Sequence, residues 1–123
     1  MGYFIVFLGA GIGGALRHFV NVLAQRAFGT GFPAGTLIVN VIGSIAMGLL
    51  AGWFLLRPGY SQEVRLFLTT GLLGGFTTFS AFSLDTLTLI ERGEWGTAAL
   101  YVLGSVVLGI AGLWLAMTLM SKA

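Results

Sequence analysis

Polar side chains are scarce in this chain, and those that interrupt its apolar runs fall at spacings suited to chemistry. Thr36, Asn40 and Ser44 stand four residues apart, which places them on one face of a helix. Asn40 is the costliest to bury, because its amide carries two donors and one acceptor. Two readings are open for it: a contact for a passing ion, or a hydrogen bond between helices. The run Thr69-Thr70-Gly71-Leu72-Leu73-Gly74-Gly75-Phe76-Thr77-Thr78-Phe79-Ser80-Ala81-Phe82-Ser83 is the most unusual. Adjacent glycines followed by two threonines weaken a helix. A break there frees carbonyl oxygens, which can ligate a hard cation; close packing is the alternative use of the glycines. Phe79 and Phe82 share a face, flanked by Ser80 and Ser83. Their positive ring edges can attract a small anion without a trapping charge, although a pair at this spacing is by default apolar packing. Tyr101 and Ser105, one turn apart, extend a hydroxyl track that stops at Gly109. Arg17, beside His18, either draws anions into a vestibule or snorkels to headgroups.

Other chemistries lack the residues. The chain has no cysteine and one histidine, so thiolate and histidine metal clusters are excluded. Its four acids are Glu63, Asp85, Glu91 and Glu94, and only Asp85 is expected inside an apolar span. No carboxylate pair or Ser-His-Asp set is available, so enzymatic catalysis has no candidates. Arg17, Arg26, Arg57, Arg65, Arg92 and Lys122 are scattered, whereas nucleic-acid binding calls for a basic stripe. The start, Met1-Gly2-Tyr3-Phe4-Ile5, has no positive n-region, so a cleaved signal peptide is not expected.

The elements that must hold these residues follow from composition. Of 123 residues, 57% are hydrophobic and 8% charged, too few charges to clothe a soluble domain. About 20 apolar residues cross a bilayer, and four segments qualify: 3–24, 34–56, 64–90 and 96–120. Backbone groups in lipid must bond within their own segment, so these spans are helices. The short connectors force antiparallel neighbours. The expectation is a single all-α integral membrane domain of four helices, the third broken mid-membrane. Gly9 with Gly13, Gly48 with Gly52, and Ser105 with Gly109 supply small-xxx-small spacings for close packing. Arg57, Arg65 and Lys122 fall on one side, and Arg17, Arg26 and Arg92 on the other. So even a split gives the positive-inside rule little to act on, which permits insertion in both orientations.

Three stretches together resemble the Fluc (CrcB) family of fluoride channels, over nearly the whole chain. They are Gly9-Ala10-Gly11-Ile12-Gly13-Gly14-Ala15-Leu16-Arg17, then Gly35-Thr36-Leu37-Ile38-Val39-Asn40 with Gly43 and Gly48, and the run from Thr70 to Ser83. The resemblance implies an antiparallel, dual-topology homodimer in a prokaryotic inner membrane. It would export cytoplasmic fluoride passively through two pores at the subunit interface and so give fluoride resistance. It further implies a central structural sodium ion on the backbone carbonyls of Gly74 and Thr77. Phe79 and Phe82 would line the pores, Asn40 would touch the ion, and Tyr101 and Ser105 would begin a polar track. Ser80 and Ser83 would join the pore lining, with Arg17 near a vestibule. The chain departs from the family's Thr-Phe-Ser-Thr-Phe-Ser-x-Glu pattern at Ala81 and Asp85. It also lacks hydroxyls at Gly109 and Leu113, which leaves the extent of the track open.

Two other functions compete. A proton-coupled exporter of the small multidrug type also has four helices, but needs a carboxylate in its first helix. Residues 3–24 contain none. A membrane scaffold without transport leaves the glycine-threonine break and the polar stripes unexplained.

Overall fold

A computed structural model describes residues 1–122, and four of its helices are long and apolar enough to cross a membrane. The first, α1 (Gly2–Phe28), continues past Gln25 and Arg26. It stops where Gly29 turns to φ 76° and donates its N–H to the Gln25 carbonyl at 2.9 Å. Glycine tolerates that left-handed angle without a Cβ clash. Pro33 then opens α2 (Ala34–Leu56), which ends at Arg57 just before Pro58.

The third span, Gln62–Glu91, is not one rod. Ser61 caps α3 (Gln62–Arg65) by accepting the Val64 N–H at 3.3 Å. A π-helical stretch follows over Leu66–Leu73. Here the Thr69 hydroxyl donates to the Arg65 carbonyl at 2.6 Å, the oxygen that its own amide would take in an α-helix. That competition favours the wider register. A last turn, α4 (Gly74–Phe76), precedes two extended residues, Thr77 at φ −85°, ψ 161° and Thr78 at φ −153°, ψ 123°. Helix resumes as α5 (Phe79–Glu91), capped by the Thr78 hydroxyl, which accepts the Ala81 N–H at 3.1 Å. A glycine turn at Gly93 leads into α6 (Trp95–Lys122). The break falls near the middle of the third span, as the paired glycines and threonines suggest.

The two halves of that span pack on different partners. The π stretch and α4 lie against α1, α5 lies against α6, and α2 packs along α6. Glycines make the closest crossings: Gly9 and Gly13 meet the backbone of the third span, and Gly48 meets the Leu113 backbone. The most enclosed apolar cluster is Leu89, Ala98 and Tyr101, with Phe32, Leu37, Phe82 and Ile90 packed around it. Large apolar side chains such as Phe7, Phe19, Leu100 and Trp114 point outward, as expected where lipid is the solvent.

Candidate functional site

Asn40 holds the break together. Its Nδ2 donates to the Thr78 carbonyl at 2.9 Å, and its Oδ1 accepts the Thr78 N–H at 2.8 Å. One side chain thus meets both backbone groups of Thr78, whose N–H has lost its helical acceptor at the break. Arg17 binds the same region from α1, its Nε donating to the Gly75 carbonyl at 3.2 Å.

Those bonds decide which carbonyls stay free. In an unbroken helix the Thr78 N–H would serve Gly74, and the Ala81 N–H would serve Thr77. Here Thr78 donates to Asn40 and Ala81 donates to the Thr78 hydroxyl. The Leu73 carbonyl, by contrast, accepts both the Thr77 N–H at 3.0 Å and its hydroxyl at 3.1 Å. Gly74 and Thr77 therefore present carbonyl oxygens without their helical donors. Neutral oxygens of this kind suit a hard alkali cation. Among the described residues no group of three or more His, Cys, Asp or Glu could hold a metal.

Beside the break runs a groove of about 340 Å³ whose lining includes Asn40, Ser44, Thr77, Phe79, Phe82 and Ser105. The Ser105 hydroxyl is buried and has no hydrogen-bond partner among the described residues. Phe79 and Phe82 are tilted at 41° with centroids 5.8 Å apart, and Phe79 is 78% exposed on the single chain. Ser80 and Ser83 sit on the exposed side of α5. Ser80 pairs with the Thr78 hydroxyl at 3.3 Å, and Ser83 donates to the Phe79 carbonyl at 3.0 Å.

A second cavity of about 250 Å³ opens toward the α1–α2 turn, with Asn21, Gln25, Thr36, Asp85, Thr88 and Arg92 in its lining. Tyr101, only 1% exposed, reaches it through a 3.1 Å hydrogen bond from its hydroxyl to Asp85 Oδ2. The Tyr101 ring stacks on Phe82 at 5.2 Å and meets Phe32 edge-on at 5.6 Å. The polar stripe of α2 thus serves both spaces, with Thr36 in the cavity and Asn40 and Ser44 in the groove.

Sequence reasoning missed three features. The π stretch has no compositional mark. The Arg17–Gly75 bond joins residues 58 apart, so no local pattern reveals it. The Thr78 cap was discoverable, since threonine is a favoured N-cap and stands directly before the Phe79 helix.

Four membrane-length helices, the third broken and clamped beside a groove of amide, hydroxyl and phenyl groups, define a small multi-pass membrane protein. Residues 4–117 match the family model described as CrcB-like protein, Camphor Resistance (CrcB). The chain belongs to the CrcB family. It is 66% identical over 108 residues to the fluoride-specific ion channel FluC of Methylobacterium nodulans, covering 88% of this chain and 86% of that one. It is 59% identical over 119 residues to the FluC of Rhodopseudomonas palustris strain BisB5, covering 97% and 96%.

Proposed function

We propose that this protein is a fluoride-specific channel that lets fluoride leave the cytoplasm passively, and that it is not an enzyme. The observation that carries this reading is the groove in which Asn40, Phe79, Phe82 and Ser105 meet beside the broken helix. The names of its relatives supply the ion. Fluoride enters acid-exposed cells as neutral HF and ionises in the near-neutral interior. An inside-negative potential then drives it outward by about 2.3 kcal/mol per charge at 100 mV. A pore must replace the ion's hydration and still release it. Asn40 spends one N–H on Thr78 and keeps a second, the Ser105 hydroxyl lacks a partner among the described residues, and phenyl edges add partial positive charge. Chloride, being larger, is rejected by width and by poorer repayment of its desolvation.

Reconstituted in liposomes, the protein is expected to release fluoride and retain chloride, followed with halide-selective electrodes. Phe82→Ile removes a ring edge while keeping an apolar side chain, and fluoride release is expected to slow by about tenfold or more, the effect of losing ~1.4 kcal/mol at a barrier. Equal release of both halides would refute the fluoride reading; an unaffected Phe82→Ile would remove that ring from the pore.

The working unit in this reading is a homodimer of inverted copies with two pores. A partner would cover the exposed Phe79 and close the groove. The near balance of flanking charge supports dual insertion. Arg17 is engaged with Gly75, leaving Arg57, Arg65 and Lys122 against Arg26 and Arg92. A cysteine placed at Gly31, where a side chain meets open space, is expected to react with an impermeant reagent from both faces of the membrane. Labelling from one face only would rule out dual topology.

The carbonyls of Gly74 and Thr77, from both copies, would hold a structural sodium ion that offsets their mutual repulsion across the dimer axis. Purification and reconstitution with a bulky organic cation in place of sodium is expected to lower both fluoride release and the melting temperature, each restored by sodium. Indifference to the exchange would exclude the ion.

A further inference from the structure

The turn between α2 and α3 carries an arrangement that ion conduction does not use. The Arg57 guanidinium lies over the Trp53 ring, 3.7 Å from its centroid, and the Arg65 guanidinium lies over Phe54 at 5.3 Å. Tyr60 packs against both rings, at 6.5 Å from Trp53 and 5.6 Å from Phe54. Stacking occupies the faces of the two cations and leaves their N–H edges for an acceptor. Arg65 Nη2 finds the Pro58 carbonyl at 3.5 Å. Arg57 Nη1 and Arg65 Nε are buried without any hydrogen-bond partner among the described residues. Neither arginine is ion-paired among those residues, where the ion pair present is Arg92–Glu94.

Contiguous with this cluster is an apolar groove of about 200 Å³. Trp53, Phe54 and Tyr60 line its head, and Leu50, Leu68 and Met120 line the part deeper in the span. Two partly exposed guanidinium groups without an ion-pair partner among the described residues, at the end of a span and continuous with an apolar slot along it, match a ligand that is anionic at one end and hydrocarbon at the other. We propose that this chain binds an anionic phospholipid here, with its phosphate on Arg57 and Arg65 and one acyl chain in the slot. The charge complementarity is the reason to choose a lipid over an apolar helix face. Generic snorkelling of the two arginines is the competing account, and it predicts no preference among lipids.

Trp53 reports on the site directly. With the outward-facing Trp95 and Trp114 replaced by phenylalanine, it becomes the sole indole. The full chain is reconstituted in phosphatidylcholine vesicles containing a tenth of brominated phosphatidylglycerol or, separately, of brominated phosphatidylcholine. Quenching by the anionic lipid is expected to correspond to about tenfold enrichment or more beside Trp53, from two arginines acting near a membrane surface. The zwitterionic lipid should quench only as its bulk fraction requires. Arg57→Gln with Arg65→Gln is expected to erase the difference. Equal quenching by the two lipids, or a preference that survives the double substitution, overturns the proposal. If the double variant does not fold, the unsubstituted arginines with the two lipids still decide it. The readout is independent of fluoride release, so either idea can fail alone.

Discussion

Asn40→Ala is expected to abolish most fluoride release and to lower the melting temperature. The alanine variant leaves the Thr78 N–H and carbonyl without the partners they now have at 2.8 and 2.9 Å. A fully buried group left unsatisfied costs about 1–3 kcal/mol; these two are part-buried beside the groove, so each costs less than that. The break can then close into a continuous helix, returning the Thr78 N–H to the Gly74 carbonyl, or stay open and lose stability. The first outcome removes the geometry that sets Phe79 and Phe82 beside the groove, and the second leaves it without its clamp. Fluoride release is expected to fall by about 100-fold, the effect of roughly 2.7 kcal/mol at the barrier. Asn40→Asp sharpens the argument. It keeps an acceptor for the Thr78 N–H but turns a carboxylate oxygen toward the Thr78 carbonyl, so it should fail like alanine despite its size. Should Asn40→Asp conduct and melt like the unaltered protein, the two-sided clamp is not what holds the break.

The same residue marks how far the sequence could be read. Four apolar segments, small-residue spacings and a weak point at Gly74-Gly75-Thr77-Thr78 are local properties, and local physics is legible in one dimension. The polar stripe Thr36, Asn40 and Ser44 was visible for the same reason. What the stripe binds was not, because the Asn40 partner lies 38 residues away and depends on how α2 crosses the third span. The alternatives for Asn40, glue between helices or contact for an ion, turn out not to exclude each other. Its amide bridges two spans and also lines the groove. Helix boundaries also escaped composition. Polarity suggested that the first span ends near residue 24, but Gln25 and Arg26 stay helical because the stop is set by Gly29. Tyr101 and Ser105 read as one track, since they are a turn apart. In the folded chain the tyrosine hydroxyl meets Asp85 at the cavity, and Ser105 lines the groove. Side-chain length and ring stacking, neither of which spacing encodes, separate the two hydroxyls.

The crossing of α1 over the break gives the other large expected effect, and it tests the architecture independently of any ion. A Cβ built on Gly13 would meet Phe76 N at 2.7 Å and Gly75 C at 3.1 Å, and would collide with the Leu72 carbonyl oxygen. From the other side, a Cβ on Gly75 would lie 2.7 Å from Ala10 Cα and 2.9 Å from its carbonyl carbon. These neighbours are backbone and cannot rotate away. The helices must separate, which stretches the 3.2 Å Arg17–Gly75 bond as well as loosening the contact. Gly13→Ala and Gly75→Ala are each expected to destabilise the protein by at least about 1–3 kcal/mol, the usual cost of overpacking. Gly11 lies in the same glycine run, but a Cβ there meets nothing within 4 Å. Gly11→Ala should therefore be neutral or stabilising by about 0.5–1 kcal/mol, because alanine favours the helix over glycine. Thermal melting in detergent separates the cases. If all three variants melt together, the close approach of α1 to the break is wrong, and with it the contact by which Arg17 reaches the Gly75 carbonyl.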